Sequence, residues 1–323
     1  MVHWHVRIDG SADTVVAAPH ADGDPHRAAT WFADDDPTWR SAWFAEWDES
    51  GAGVAADAAA RRLGARSISP ALPRSVLDMG RPWAGAPGDE TLMGKGALDG
   101  QTKARLSADG VARARIAYDG AIAEVRAATS AAHGWIEAHE YGVGGSTYDV
   151  ARGVRPFRRP EVAVVSEVAP WSTATPTGLA CLIPADLRPT PWALRHGVEA
   201  QLAARGFRPG PSPYPDAPWS LGARFVAERY LAWRCRVDGV DPQPWRDLAW
   251  GDPNAPAPDA VYAAELARRA ATLPERLADR FHDEDPCFVL VVELRIDLRA
   301  RADAFGDAIA EGAAQWQRAR RGA

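Results

Sequence analysis

Residues 99–129 read DGQTKARLSADGVARARIAYDGAIAEVRAAT, with Asp-Gly pairs at 99–100, 109–110 and 119–120. Asp-Gly between alternating segments is a hairpin signal, because both residues accept the backbone of a tight turn. The ten-residue spacing predicts an antiparallel β-meander with strands at 101–107, 111–118 and 121–129. A fourth run, Trp135 to Tyr141, extends the sheet, and the GVGG of 142–145 ends it.

Register gives this sheet a charged side. A two-residue turn at Asp119-Gly120 sets Arg113 opposite Arg126 and Arg115 opposite Glu124. A three-residue bulged loop, Ala108-Asp109-Gly110, then keeps Ala104 and Leu106 on the apolar side, since a one-residue slip would invert every side chain. Lys103, Arg105, Arg113, Arg115 and Arg126 thereby share one face with a single acid, Glu124. Like charges set opposite each other destabilise a sheet. Three things can offset them: water and splayed guanidinium groups, an acidic stretch of this chain such as Asp34–Asp36, or an external anion such as phosphate, a nucleic-acid backbone or an acidic partner.

Outward from the meander, Trp4, Val6 and Ile8 alternate with His3, His5, Arg7 and Asp9, as in a half-buried first strand. Asp36-Pro37 opens a helix to about Glu49, with Trp39, Trp43 and Trp47 on one stripe. That stripe reads as core or as a partner-binding ridge. A second helix at 54–63 ends at Gly64, and residues 66–98 are rich in Pro and Gly. The second half predicts strands at 161–168, 178–184 and 287–298. Its helices fall at about 190–206, 220–237, 259–272, 274–282 and 302–319, with an irregular connection over 238–258. The expected class is α+β, a mixed α/β fold with the meander in the N-terminal half and strand-helix units in the C-terminal half. A soft boundary separates 1–155 from 156–323, and one continuous domain is the alternative.

Composition bounds the function. No apolar run approaches the ~20 residues that span a bilayer. The opening residues lack a signal-peptide pattern, so a cytoplasmic protein is expected. Only Lys95 and Lys103 of the 37 basic residues are lysine, a bias that with the abundant alanine points to a GC-rich bacterial genome. The net charge of −6 argues against bulk binding to nucleic acid or anionic membranes. Cys181, Cys235 and Cys287 form no CxxC pair, so neither a disulfide framework nor a thiolate zinc site is expected. Phosphate-loop, dinucleotide, GxSxG and HExxH patterns are absent. His139-Glu140 begins like the last of these and lacks its second histidine.

Chemistry-bearing residues gather near the N-terminus. His3 and His5 share one side of a strand, and the loop His20-Ala-Asp22-Gly-Asp24-Pro-His26 follows. Imidazole and carboxylate ligands suit a divalent transition metal. The His3-Trp4-His5 opening resembles that of metal-dependent hydrolases of the amidohydrolase and PHP types. The later His and Asp ligands that those families place on successive barrel strands are not recognisable. The leading expectation is therefore a non-catalytic binding or assembly protein. It would hold an acidic protein partner, or a second copy of itself, on the basic sheet face and exposed tryptophans. A metal-dependent hydrolase built on His3, His5, His20, Asp22, Asp24 and His26 is the alternative, and a nucleic-acid or phosphate binder is a second.

Overall fold

The structure, a computed structural model, describes residues 3–21, 23–33, 36, 48–81, 83, 96–144, 158–165, 187, 190–211, 220–250, 259–272, 280–285 and 287–321. The predicted Trp39–Trp43–Trp47 helix, the 178–184 strand with Cys181, and Asp22 lie outside these residues.

Seven strands form one mixed sheet: β1 (Trp4–Ile8), β2 (Ser11–Ala17), β3 (Ala65–Pro70), β4 (Gly134–Tyr141), β5 (Val162–Val165), β6 (Pro209–Gly210) and β7 (Phe288–Arg295). Their spatial order is β1-β3-β2-β4-β7-β5-β6. The central neighbours β3/β2, β2/β4 and β4/β7 run parallel, while β1/β3 and β5/β7 are antiparallel. Strands from both sides of residue 155 thus share one sheet, and β4 on β7 is an unbroken eight-residue ladder.

Helices cover both faces, as a buried parallel sheet requires. On one face lie α2 (Gly100–Arg105), α3 (Ala108–Thr129), α5 (Leu221–Asp238), α6 (Gln243–Trp250) and α7 (Ala260–Thr272); on the other lie α1 (Ser50–Leu63), α4 (Trp192–Ala204) and α8 (Ala302–Arg321). Alternation along the strands separates two cores. Val15, Trp135, Val289 and Val291 face the first group of helices, and Val16, Ile136, Leu290 and Val292 the second. The mixed α/β class therefore holds.

The meander does not. Residues 100–129 form α2 and α3, and each Asp-Gly pair has a helical use. Asp99 caps α2, its carboxylate accepting from the Gln101 amide. Ser107 caps α3 by accepting from the Gly110 amide, which places Asp109 in the first turn, where a negative charge suits the helix dipole. Gly110 and Gly120 are there for close approach. A Cβ on Gly110 would sit 2.0 Å from the Trp31 carbonyl oxygen, and one on Gly120 would sit 2.4 Å from the His3 ring. The helical pattern is present in the sequence: Ala114, Ala117, Tyr118, Ala121, Ile122 and Val125 are all buried at 3.6-residue spacing.

With the sheet goes its basic face. Arg113 donates to Thr30, Arg115 pairs with Asp119 one turn on, and Arg126 pairs with Asp247 of α6. Lys103 and Arg105 stand on the separate helix α2. Among the described residues most tryptophans are core: Trp135, Trp245 and Trp250 are among the most buried side chains. Two further expectations change. The Pro-rich 238–258 stretch contains α6, and Val6 faces solvent at 55% exposure because β1 is an edge strand.

Candidate metal centre

The carboxyl ends of β2, β4 and β7 lie side by side at the middle of the sheet, where open α/β sheets place their ligands. His20 stands in the turn just past β2. In β4, alternation puts Glu137 and His139 on the α3/α5 side and Glu140 on the other. In β7, Glu293 is paired in register with His139 and points to the same side. Glu49 precedes α1.

Glu49 leaves its own helix uncapped. Glu140 instead accepts from the Gly51 amide at 2.8 Å and is held by Arg299. The Glu49 carboxylate turns to the cluster, accepting from the Glu140 amide at 3.0 Å and from Arg74 at 2.6 Å. Its two oxygens then meet His20 Nδ1 at 3.1 Å and His139 Nδ1 at 3.4 Å.

The two histidines are built alike. His20 Nε2 is 3.0 Å from Asp78 Oδ1, and His139 Nε2 is 2.8 Å from Glu137 Oε1. A carboxylate at Nε2 fixes the proton there and leaves the Nδ1 lone pair facing inward. The two Nδ1 atoms lie 3.1 Å apart. Two lone pairs do not rest at that distance without a proton or cation between them. A tetrahedral ion with bonds of about 2.0–2.1 Å separates its ligand atoms by roughly 3.3 Å, so the spacing fits one. Among the described residues, His20, Glu49 and His139 are the group whose donor atoms converge within 4.8 Å.

Each carboxylate behind a histidine is itself held. Glu137 is fully buried and accepts from Trp135 Nε1 and the Gly222 amide, both at 2.9 Å. Asp78 takes Arg74, Arg81 and the Gly80 amide. Burial alone would raise the pKa values of Glu49 and Asp78. The charge on His20 and the nearby arginines, joined for Glu49 by His139, overcome it and hold both well below the usual range. Burial would lower His139, but its bonds to Glu137 and Glu49 push it well above the usual histidine value. Surroundings that hold a proton there also favour a metal cation. Glu293 differs: no hydrogen bond to its carboxyl occurs among the described residues, and burial pushes it up to about 8 despite the charge on His139.

Of the described residues expected to bind metal, only His20 reaches this cluster. His3 pairs with Glu124 of α3 at 2.9 Å. His5 stands on β1, separated from β2 by β3. Asp24 caps a short 3-10 turn by accepting from the His26 amide. Glu49, Asp78, Glu137 and Glu293 were not among the expected site residues, and His139 was met only as the start of an incomplete HExxH pattern. The strand GWIEAHEY carried a usable signal, since Glu137 and His139 share one side of an apolar strand, where charge is rarely buried without a role.

No family model matches the chain, and no curated protein matches it. Among solved structures, N-formylglutamate amidohydrolase from Ralstonia eutropha JMP134 has a TM-score of 0.55 at 12% identity, with 100% of both chains covered. A gene product of Agrobacterium tumefaciens is 14% identical over 98% of this chain and 96% of that one, with a TM-score of 0.47. The likeness to the Ralstonia protein is one of fold. It nevertheless turns the expectation of a non-catalytic binder around. The sheet face on which the basic surface and the nucleic-acid reading were built is absent, because residues 100–129 are helical, and the fold is one that a hydrolytic enzyme uses.

Proposed function

We propose that this protein is a metal-dependent hydrolase whose ion is held by His20 Nδ1, Glu49 and His139 Nδ1. The observation that carries this reading is the pair of inward Nδ1 atoms, each backed by a buried carboxylate, beside a carboxyl that makes no hydrogen bond among the described residues. When bound, the ion would polarise a carbonyl and acidify water. Glu293 is placed to take a proton from the attacking water and pass it to the leaving group. Its raised pKa suits such exchange near neutrality, and a neighbouring cation would draw that value back down. Glu137 and Asp78 hold the histidine tautomers, while Arg74 fixes Glu49. The name of the Ralstonia protein makes a carbon–nitrogen amide bond the first to try.

The test is metal content of the purified chain by emission spectrometry, followed by amine release from a panel of N-acyl amino acids with zinc, cobalt or manganese supplied. About one ion per chain and metal-dependent amine release are expected. Failure to bind any of these ions, or an ion content unchanged by His139→Ala, would sink the proposal.

A further inference from the structure

The last turns of α8 set Ala314, Gln317, Arg318 and Arg321 on one face, by their i, i+3, i+4, i+7 spacing. That face and the end of α1, with Arg62 and Leu63, enclose a cleft of about 380 Å³. Pockets that hold small molecules run from ~300 to ~1,000 Å³. Three guanidiniums and an amide surround an apolar floor of Leu63 and Ala314, and no acidic residue is among the described residues that line it.

Little nearby offsets this charge. Glu311 accepts from Arg62 at 3.0 Å and also lies 3.7 Å from Arg205. Arg318 and Arg321 are exposed and make no hydrogen bond or ion pair among the described residues. Arg320, between them, is engaged elsewhere: it donates to the His282 carbonyl at 3.1 Å and lies over the Trp316 ring. A basic last turn suits the dipole of a single helix. Here two such turns meet across one cleft, and the α8 arginines that face it are the two left without a partner among the described residues.

The cleft is also remote from the candidate metal centre. Both helices begin beside that centre, where Glu140 accepts from the Gly51 amide and from Arg299. Both end at the cleft, so the two places are separated by the length of α1, roughly 20 Å for its 14 residues.

We infer that this cleft binds a diphosphate anion, either free pyrophosphate or the diphosphate of a nucleotide. Planar guanidinium forks match phosphate oxygens two at a time, and three of them around one space suit more than one phosphate. The apolar floor would take the organic part of a nucleotide. This site does not depend on the hydrolase reading.

The test is calorimetric titration of the chelator-treated full chain with pyrophosphate, ADP and adenosine. Chelator treatment prevents binding through a metal, and 0.15 M salt screens diffuse attraction. Pyrophosphate and ADP are expected to bind once per chain, and adenosine not at all. Tighter binding of ADP identifies a nucleotide as the occupant, and equal or weaker binding identifies free pyrophosphate. The double variant Arg318→Gln, Arg321→Gln is expected to weaken both anions at least tenfold at an unchanged melting temperature, since both side chains are exposed. The same charge change elsewhere on the surface, Arg268→Gln with Arg280→Gln, should leave affinity within twofold. Failure of both anions to bind, adenosine binding as tightly as ADP, or equal weakening by the two double variants would overturn the inference.

Discussion

Replacing Glu137 by Gln keeps the shape of the side chain and inverts its chemistry at one atom. Glu137 accepts from three donors: His139 Nε2 on one oxygen, Trp135 Nε1 and the Gly222 amide on the other. A Gln amide has one oxygen. Turning its NH2 toward Trp135 and Gly222 would strand two buried donors, at about 1–3 kcal/mol each. The cheaper arrangement points the NH2 at His139. Nε2 must then accept, so the ring proton moves to Nδ1 and blocks the lone pair that faces the proposed metal position. The expected loss of zinc affinity is about 10–100-fold, or roughly 1.4–2.7 kcal/mol. Competition against a chromophoric chelator measures it at fixed pH. Zinc affinity within twofold of the wild type would refute the tautomer argument, and with it the proposal that Glu137 positions His139.

Three further outcomes are expected. Glu293→Gln should lower turnover by about 10²–10⁴-fold while zinc affinity stays near the wild-type value, because the carboxyl moves a proton and is not a ligand; a parallel loss of metal would contradict that role. Zinc at a hundredfold excess over its dissociation constant should add about 2.7 kcal/mol to stability, raising the melting temperature by roughly 4 °C, and chelation should reverse it. Gly110→Ala should destabilise the fold by roughly 1–2 kcal/mol in urea, since the Cβ would meet the Trp31 carbonyl 2.0 Å away, a clash that outweighs alanine's gain in helix propensity. A stabilised Gly110→Ala variant would show that α3 does not lie against Trp31.

The helices and the last strand were legible wherever one period dominated. Leu194, Val198 and Leu202 fix α4, Phe225, Tyr230 and Trp233 fix α5, and the apolar opening of β7 marks a covered strand. Gly64 ends α1 in the left-handed conformation that its position suggested. The Asp-Gly pairs misled because Asp and Gly serve helix starts and close contacts as well as turns, and local spacing does not distinguish these uses. β2 and β3 went unread: β2 sits in a polar, loop-like stretch and β3 borders a Pro/Gly-rich one. The candidate metal cluster was legible only in part, through His20. Its other members come from positions 49 and 139, with supports at 78 and 137, and only the sheet order brings them together. Glu137 and His139 could have been caught as charges on one side of an apolar strand. Glu49 carries no local mark, because its role depends on Glu140 occupying the helix amides in its stead.

The order of the strands also has a consequence for how the chain is made. β7, drawn from residues 288–295, lies between β4 and β5, which are synthesised well before it. Until it arrives, β4 presents a bare apolar edge, the kind of template on which nascent chains stick to one another. The middle of the sheet therefore closes late, through contacts between distant parts of the chain, which slows folding. A ribosome-stalled chain ending before residue 288 would be a client for chaperones. It would carry both histidines of the proposed centre and still lack the carboxyl beside them, so the proposed hydrolase could not act until that strand had been inserted.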